Sequence, residues 1–285
     1  MASRSKTLLT VVLLSFLGAF PGMAYERIVS LYSGHTDNII ALGGQDKLVG
    51  VSQNDEPARL SGLPRFAPKA SAEAILAVRP DLVLMRTMVE KQNPALKDVL
   101  ERAGVAVLSI DPPSWDKFSA YLRELAPLIG VDPKAAALKY VDLCENIRQE
   151  AAIAWRMNKP SPSVFVEATA KELHTCAPDS WAAHLIKLAG GANAATGAEP
   201  LRTGSAIAPW GLERVMKTLS SGLDIYIVQH GPMNRSTPEQ IDARPWSAAL
   251  KKTKVVQVPE YLLSRPSLLG LEDGGKMLLK IFYGE

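Results

Sequence analysis

The chain is poor in the residues that usually announce chemistry. Of its 285 residues two are cysteines, Cys144 and Cys176, and four are histidines, His35, His174, His184 and His230. Two thiols do not make a disulfide framework, and Cys144 falls on the apolar side of a helical stretch, where a small buried core residue is expected. There is no nucleophile-elbow pattern and no His-Glu-x-x-His. Gly270-Leu-Glu-Asp-Gly-Gly-Lys276 matches most of a phosphate-binding loop. Met277 stands where Ser or Thr would hold magnesium, however, and no strand precedes it, so that reading is rejected. His184 falls inside a helical pattern and reads as structural. Basic runs are also missing. The formal net charge is +3, and without Arg4 and Lys6 it falls to +1, which gives no reason to expect a nucleic-acid partner.

What is present begins with a leader. Arg4 and Lys6 precede an apolar run from Leu8 to Leu17, and Gly22-Met23-Ala24 forms a small-residue cleavage site. The run is about ten residues, short of the ~20 that a spanning helix needs. Residues 1–24 are therefore expected to be an export signal cleaved after Ala24. No cysteine near the site offers a lipid anchor, so a freely diffusing protein retained in a periplasm is expected.

The rest of the chain is organised around Asp132 to Asn158. Asp132 suits an N-cap and Pro133 the first helical position, and Ala135, Leu138, Val141, Cys144, Ile147, Ala151 and Trp155 recur at helical spacing. A helix of about 25 residues spans roughly 37 Å, enough to join two lobes. On either side, short β-rich runs alternate with helical patterns. Strands are expected at Ile28 to Tyr32, Leu48 to Ser52, Asp81 to Met85 and Val105 to Ile110 before the spine. After it they are expected at Val164 to Val166, Asp224 to Val228 and Val255 to Val258. The first helix is expected at Asp37 to Leu42, capped by Thr36 behind a turn at Ser33-Gly34-His35, and later ones behind the cap Ser71 and at Pro94 to Ala103, Trp181 to Ala189, Leu212 to Leu219 and Leu268 to Phe282. The fold class is thus α/β: two Rossmann-like lobes with mostly parallel sheets and separate cores, at 25–131 and 159–285, on a linker helix at 132–158.

Several blocks then carry a likeness. They are Arg27 to Leu31 with Thr36-Asp37 and Ala41 to Gly44; Asp46 to Ser52; Ser71-Ala-Glu-Ala-Ile-Leu-Ala-Val-Arg-Pro-Asp-Leu-Val-Leu84; Leu185 to Asn193; Leu212 to Val215; and Ser264-Arg-Pro266. In this order the chain resembles the class III periplasmic binding proteins that feed cobalamin, haem and ferric siderophores to ABC importers. The resemblance implies modest opening and closing around a ligand between the lobes, and no intrinsic cofactor. It implies a monomer working with a membrane permease, and a cargo that contains iron or cobalt. It also implies that Glu73 and Glu213, one on each lobe, dock onto permease arginines. By themselves, both read as first-turn glutamates that favour a helix dipole.

Residues just past strand ends should line the cleft between the lobes. These are Tyr32, Ser33 and His35; Met85, Arg86 and Thr87; His174, Thr175 and Cys176; Trp210; His230 and Met233; and Arg265. By position Trp210 resembles an aromatic that packs on the corrinoid in the cobalamin branch; a core tryptophan is the alternative. Arg86, Arg202 and Arg265 could clamp an oxyanion-bearing chelate, since guanidinium pairs with planar oxyanions in a bidentate way. His35, His174 and His230 could ligate a metal if they converge, which leaves a bare ion or a haem as alternative cargo and a metal-dependent enzyme as a third reading. Haem-binding relatives place an axial tyrosine in the loop before the Glu73 helix. The nearest match here is Phe66, which cannot ligate iron.

Overall fold

The computed structural model describes residues 24–56, 60–157 and 159–284. The leader at residues 1–23, including Arg4, Lys6 and the run from Leu8 to Leu17, lies outside the described residues, as does Asn158 at the end of the linker.

The N-terminal lobe runs β1 (Ile28–Ser30), α1 (Ser33–Ala41), β2 (Leu48–Ser52), β3 (Arg65–Phe66), α2 (Ala72–Leu76), β4 (Leu82–Met85), α3 (Thr87–Gln92), α4 (Pro94–Arg102), β5 (Ala106–Ser109) and α5 (Phe118–Leu125). Its five strands pair in parallel in the order β3-β2-β1-β4-β5. One long helix follows, α6 (Pro133–Arg156), with the Asp132 side chain accepting from the Lys134 amide as its cap. The C-terminal lobe contains β6 (Ser163–Glu167), β7 (Thr175–Cys176), α7 (Trp181–Leu188), β8 (Ala192–Asn193), β9 (Ile207–Ala208), α8 (Gly211–Ser220), β10 (Ile225–His230), α9 (Pro238–Asp242), β11 (Lys254–Pro259), α10 (Glu260–Leu263) and α11 (Leu268–Tyr283). Its main sheet is parallel in the order β11-β10-β6-β8, and β7 and β9 form a small antiparallel pair. The expected α/β class, with mostly parallel sheets, is what the structure shows.

The lobes do not have wholly separate cores. Each sheet has an outer face: Val29, Val83, Ile75 and Leu100 pack together in the first lobe, and Phe165, Tyr226, Val215 and Leu219 in the second. The inner faces merge instead, because one continuous cluster takes in Ile28, Leu82 and Phe118, then Tyr140, Cys144 and Ile147 of α6, then Val164, Trp181 and Leu271. Aromatic rings make the join. Trp115 and Phe118 of the first lobe stand 4.6 and 4.8 Å from the Trp181 ring of the second, and Trp115 stacks on His184 at 5.3 Å.

The stripe expected on α6 holds at Cys144, Ile147 and Ala151 and fails towards the helix ends. Its buried residues are Ala136, Ala137, Tyr140, Cys144, Ile147 and Ala151, whereas Leu138, Val141 and Trp155 are exposed. Close approach explains the small residues on the buried side, since α6 lies against both α5 and α11. The glycines of the rejected phosphate loop serve the same end. They sit in α11, where a Cβ on Gly274 would lie 2.0 Å from the Leu262 carbonyl oxygen and one on Gly275 2.4 Å from Ile147.

Candidate functional site

The carboxyl ends of β1 and β11 carry the segments that bring the lobes together. After Ser30 the chain turns at once into α1, with Tyr32 as its extended N-cap. Helix formation therefore begins at Ser33 and not at Asp37, and the expected turn at Ser33-Gly34-His35 is the first turn of α1. The cause is local: the Thr36 hydroxyl does not cap a later helix but donates to Ser30 Oγ at 2.8 Å. The earlier start carries His35, Thr36, Asp37 and Asn38 into the interior.

Asn38 and Asp37 reach the second lobe. Asn38 Oδ1 accepts from the Leu268 amide at 2.8 Å, and Asn38 Nδ2 donates to the Pro266 carbonyl at 3.3 Å. Arg265 donates to Asp37 across the seam and to Glu260 in its own lobe, both at 3.3 Å. The Arg86 guanidinium lies 4.9 Å from the centre of the Tyr32 ring. Burial pushes the Tyr32 phenol up to about 12, partly opposed by the positive charges of Arg86 and Arg265. Tyr32 can lie there because residue 34 is glycine, since a Cβ at that position would come within 2.4 Å of the ring. Arg86 Nε is buried and has no partner among the described residues. The adjoining Thr87 is held by Asp111, through its amide at 3.2 Å and its hydroxyl at 2.5 Å.

Asp55 stands beside this group. Its Oδ2 accepts from Thr36 at 3.4 Å, while its buried Oδ1 has no partner among the described residues. Burial, and then the neighbouring Asp37, push its carboxyl up to about 7. Arg65 donates to the Asp55 carbonyl at 2.7 Å, and its Nη2 is a second buried donor without a partner.

The expected site residues thus divide. Tyr32, Arg86 and Arg265 come together at the seam. His230 ends β10 exposed, next to Gly231, which packs on Glu260. His174 follows a kink at Glu172 and Leu173, where φ is +61° and +49°, and its Nε2 pairs with Glu172 at 3.1 Å. His35 is turned into the protein interior. It is buried, with Nδ1 bonded to Tyr121 Oη at 2.7 Å and Nε2 to the Ile110 carbonyl at 3.0 Å, and burial pushes its pKa down to about 4. The three histidines do not converge, and no group of three or more His, Cys, Asp or Glu among the described residues could hold a metal ion.

Met85 is also corrected. It is wholly buried as the last residue of β4, so the first residue past that strand is Arg86. Trp210 lies apart from the seam group: it packs 6.4 Å from Phe165, under the Arg214 guanidinium at 5.2 Å. Arg202 and Met233 are exposed, and Cys176 is buried. Glu73 and Glu213 are exposed in the first turns of α2 and α8. Glu73 is held below the usual carboxylate range by hydrogen bonds from its own backbone and from Ser71.

Sequence reasoning missed Asn38, Asp55 and Glu260 at the seam. It also missed a buried network at the end of β6, in which Glu167 receives Arg244 at 2.5 and 2.7 Å, Tyr226 at 2.6 Å and Asn234 at 3.0 Å. Asp37 and Asn38 were visible only as a helix start, and Glu167 only as the end of an apolar run.

The profile of the periplasmic binding proteins matches residues 28–262. The chain belongs to that family. Vitamin B12-binding proteins of Yersinia pseudotuberculosis and Yersinia pestis are 30% identical to it over 188 and 187 residues, 64% of this chain. The match spans 65% and 64% of the length of those relatives. Among solved structures, a periplasmic haem-binding protein from Pseudomonas aeruginosa is similar with a TM-score of 0.70 and 24% identity, covering 91% of this chain and 93% of that one. The periplasmic vitamin B12-binding protein of Vibrio cholerae gives 0.63 at 21% identity, covering 90% and 96%. The periplasmic haem-binding protein of the same organism gives 0.66 at 20%, covering 90% and 98%. At these identities the structures establish the shared fold, and the differing ligands in their names leave the cargo open.

Proposed function

We propose that the protein is the substrate-binding component of an ABC importer for a metal chelate, a ferric siderophore or a corrinoid of the cobalamin type. The observation that carries this reading is the seam itself, where Arg86 and Arg265 flank the Tyr32 phenol and Arg86 Nε has no partner among the described residues. Such a site grips the organic periphery of a chelate through hydrogen bonds and charge. A bare ion would need a converging ligand set, which the described histidines, cysteines and acids do not form. The family relatives named for vitamin B12 support the corrinoid branch, and the Arg86 guanidinium, whose Nε has no partner among the described residues, supports a carboxylate- or catecholate-bearing chelate. No bond in the ligand is broken in this reading. Family membership implies a periplasmic location, and cleavage after Ala24 belongs to the proposal.

An absorption scan and a native mass spectrum of protein freshly purified without chelators test the cargo. One chelate per chain, identified by mass and colour, is expected; stoichiometric metal without an organic ligand would overturn the reading.

Glu73 and Glu213 serve as the two points of contact with the permease. Both are exposed, at matching places in the two lobes, and exposed charges speed and orient encounter. Replacing both with alanine is expected to leave chelate affinity intact and impair uptake. Unchanged uptake by that double variant would remove the docking role.

A further inference from the structure

A cavity of about 480 Å³ opens on the flank of the C-terminal lobe, beside α8. It is separate from the seam. Helix α8 packs on the sheet face that carries Phe165 and Tyr226, opposite the face that joins the linker helix. Ser163, which opens β6, and Leu223, two residues before β10, also line the cavity and lie at the amino ends of these strands, the far end of the sheet from the seam.

The lining has a distinct chemistry. The indole of Trp210 supplies a flat apolar wall, and its Nε1–H is buried without a partner among the described residues. Arg214 and Lys217 follow on α8 at a spacing of three, which places both on one helix face. Both side chains are exposed, neither forms an ion pair among the described residues, and no Asp or Glu lines the cavity. Ser163, Thr196 and Thr218 add hydroxyl groups. Lys217 alone, in the last turn, could be explained by the helix dipole. Arg214 cannot: it is the fourth of the ten residues of α8, near the end where the dipole disfavours a cation, and it leans over the indole at 5.2 Å.

A planar wall beside two cations without counter-charge is complementary to a planar anion, and the volume falls in the range of small-molecule sites. We propose that this groove is a second binding site, for a small aromatic carboxylate, whose ring lies against the Trp210 and Arg214 planes and whose carboxylate pairs with Arg214 and Lys217. The site stands on this lobe's own geometry and does not depend on which chelate occupies the seam.

The test is a titration of the full-length ¹⁵N-labelled protein with sodium salicylate, followed through the indole N–H signals of its five tryptophans. Trp210→Phe assigns the relevant signal. The Trp210 signal is expected to shift saturably with a sub-millimolar midpoint, while the Trp115 and Trp181 signals stay in place. In Arg214→Ala/Lys217→Ala, two exposed positions whose loss does not threaten the fold, binding should weaken at least about tenfold. Cyclohexanecarboxylate, which has the charge but not the plane, should bind several-fold more weakly than salicylate. No saturable shift at ~10 mM salicylate, an undiminished shift in the double variant, or equal binding of the non-planar acid would each overturn the proposal.

Discussion

Asp55 and His35 are both buried near the seam, and their linkages to folding have opposite signs. The folded pKa of His35 lies near 4, below its usual 6.5. Its contribution is complete above pH ~6.5 and is lost as the pH falls toward 4. The folded pKa of Asp55 lies near 7, above its usual 3.8. Its contribution is complete below ~3.8 and is lost as the pH rises toward 7. The two slopes oppose each other between about pH 4 and pH 6.5. Asp55→Asn removes only the second. The stability of that variant relative to wild type, measured by urea unfolding, should therefore rise between pH 4 and pH 7 by up to about 1.4 kcal/mol per pH unit. A difference that stays constant with pH would show that the Asp55 carboxyl does not carry the proton assigned to it. Neither group's role was legible in sequence. His35 looked like a loop residue because a plausible cap, Thr36, followed it, and the structure uses that hydroxyl to bond Ser30 instead.

Elements were easier to read than faces. The linker helix begins at Pro133 behind Asp132, as the cap and proline signals indicate, and runs 24 residues. Strands β2, β4 and β5 and helices α4, α7, α8 and α11 also fall where periodicity and stop signals place them, within a residue or two. The buried side of α6 was legible at Cys144, Ile147 and Ala151 but not in its first half, where hydrophobicity selects the large residues Leu138 and Val141 while the close packing of α6 on its neighbours selects Ala136 and Ala137. The difference has a direct test. Leu138→Lys should change stability by no more than about 0.5 kcal/mol, as for an ordinary surface site, whereas Ala137→Leu should cost about 1–3 kcal/mol through overpacking. The reverse order in a thermal or urea unfolding series would restore the stripe that the sequence suggested. The short pieces β7, β8 and β9 and helices α9 and α10 carry too few residues for a period to show.

At the scale of the molecule, one hydrophobic layer runs from the first lobe through α6 into the second, and the rings of Trp115, Phe118 and Trp181 lie within it. Length and alternation of elements correctly implied two sheets, but no pattern within either half could reveal that their inner faces share a core. The seam forms from segments more than two hundred residues apart in sequence, such as Asn38 with Leu268. That separation is why only some of its members could be named in advance. Tyr32, Arg86 and Arg265 were reachable as residues past strand ends, while Asp55 and Glu260 were not. The account's central claim is that a metal chelate is held there through its organic periphery. It is tested most directly by calorimetric titration of cyanocobalamin, haemin, a ferric catecholate and the free metal salts into wild type and Arg86→Met. One chelate should bind at one per chain and weaken about 10- to 100-fold in the variant, the loss of a charged hydrogen bond, with no comparable binding of free metal. Free metal bound as tightly as its chelate, or a chelate affinity untouched by Arg86→Met, would contradict it.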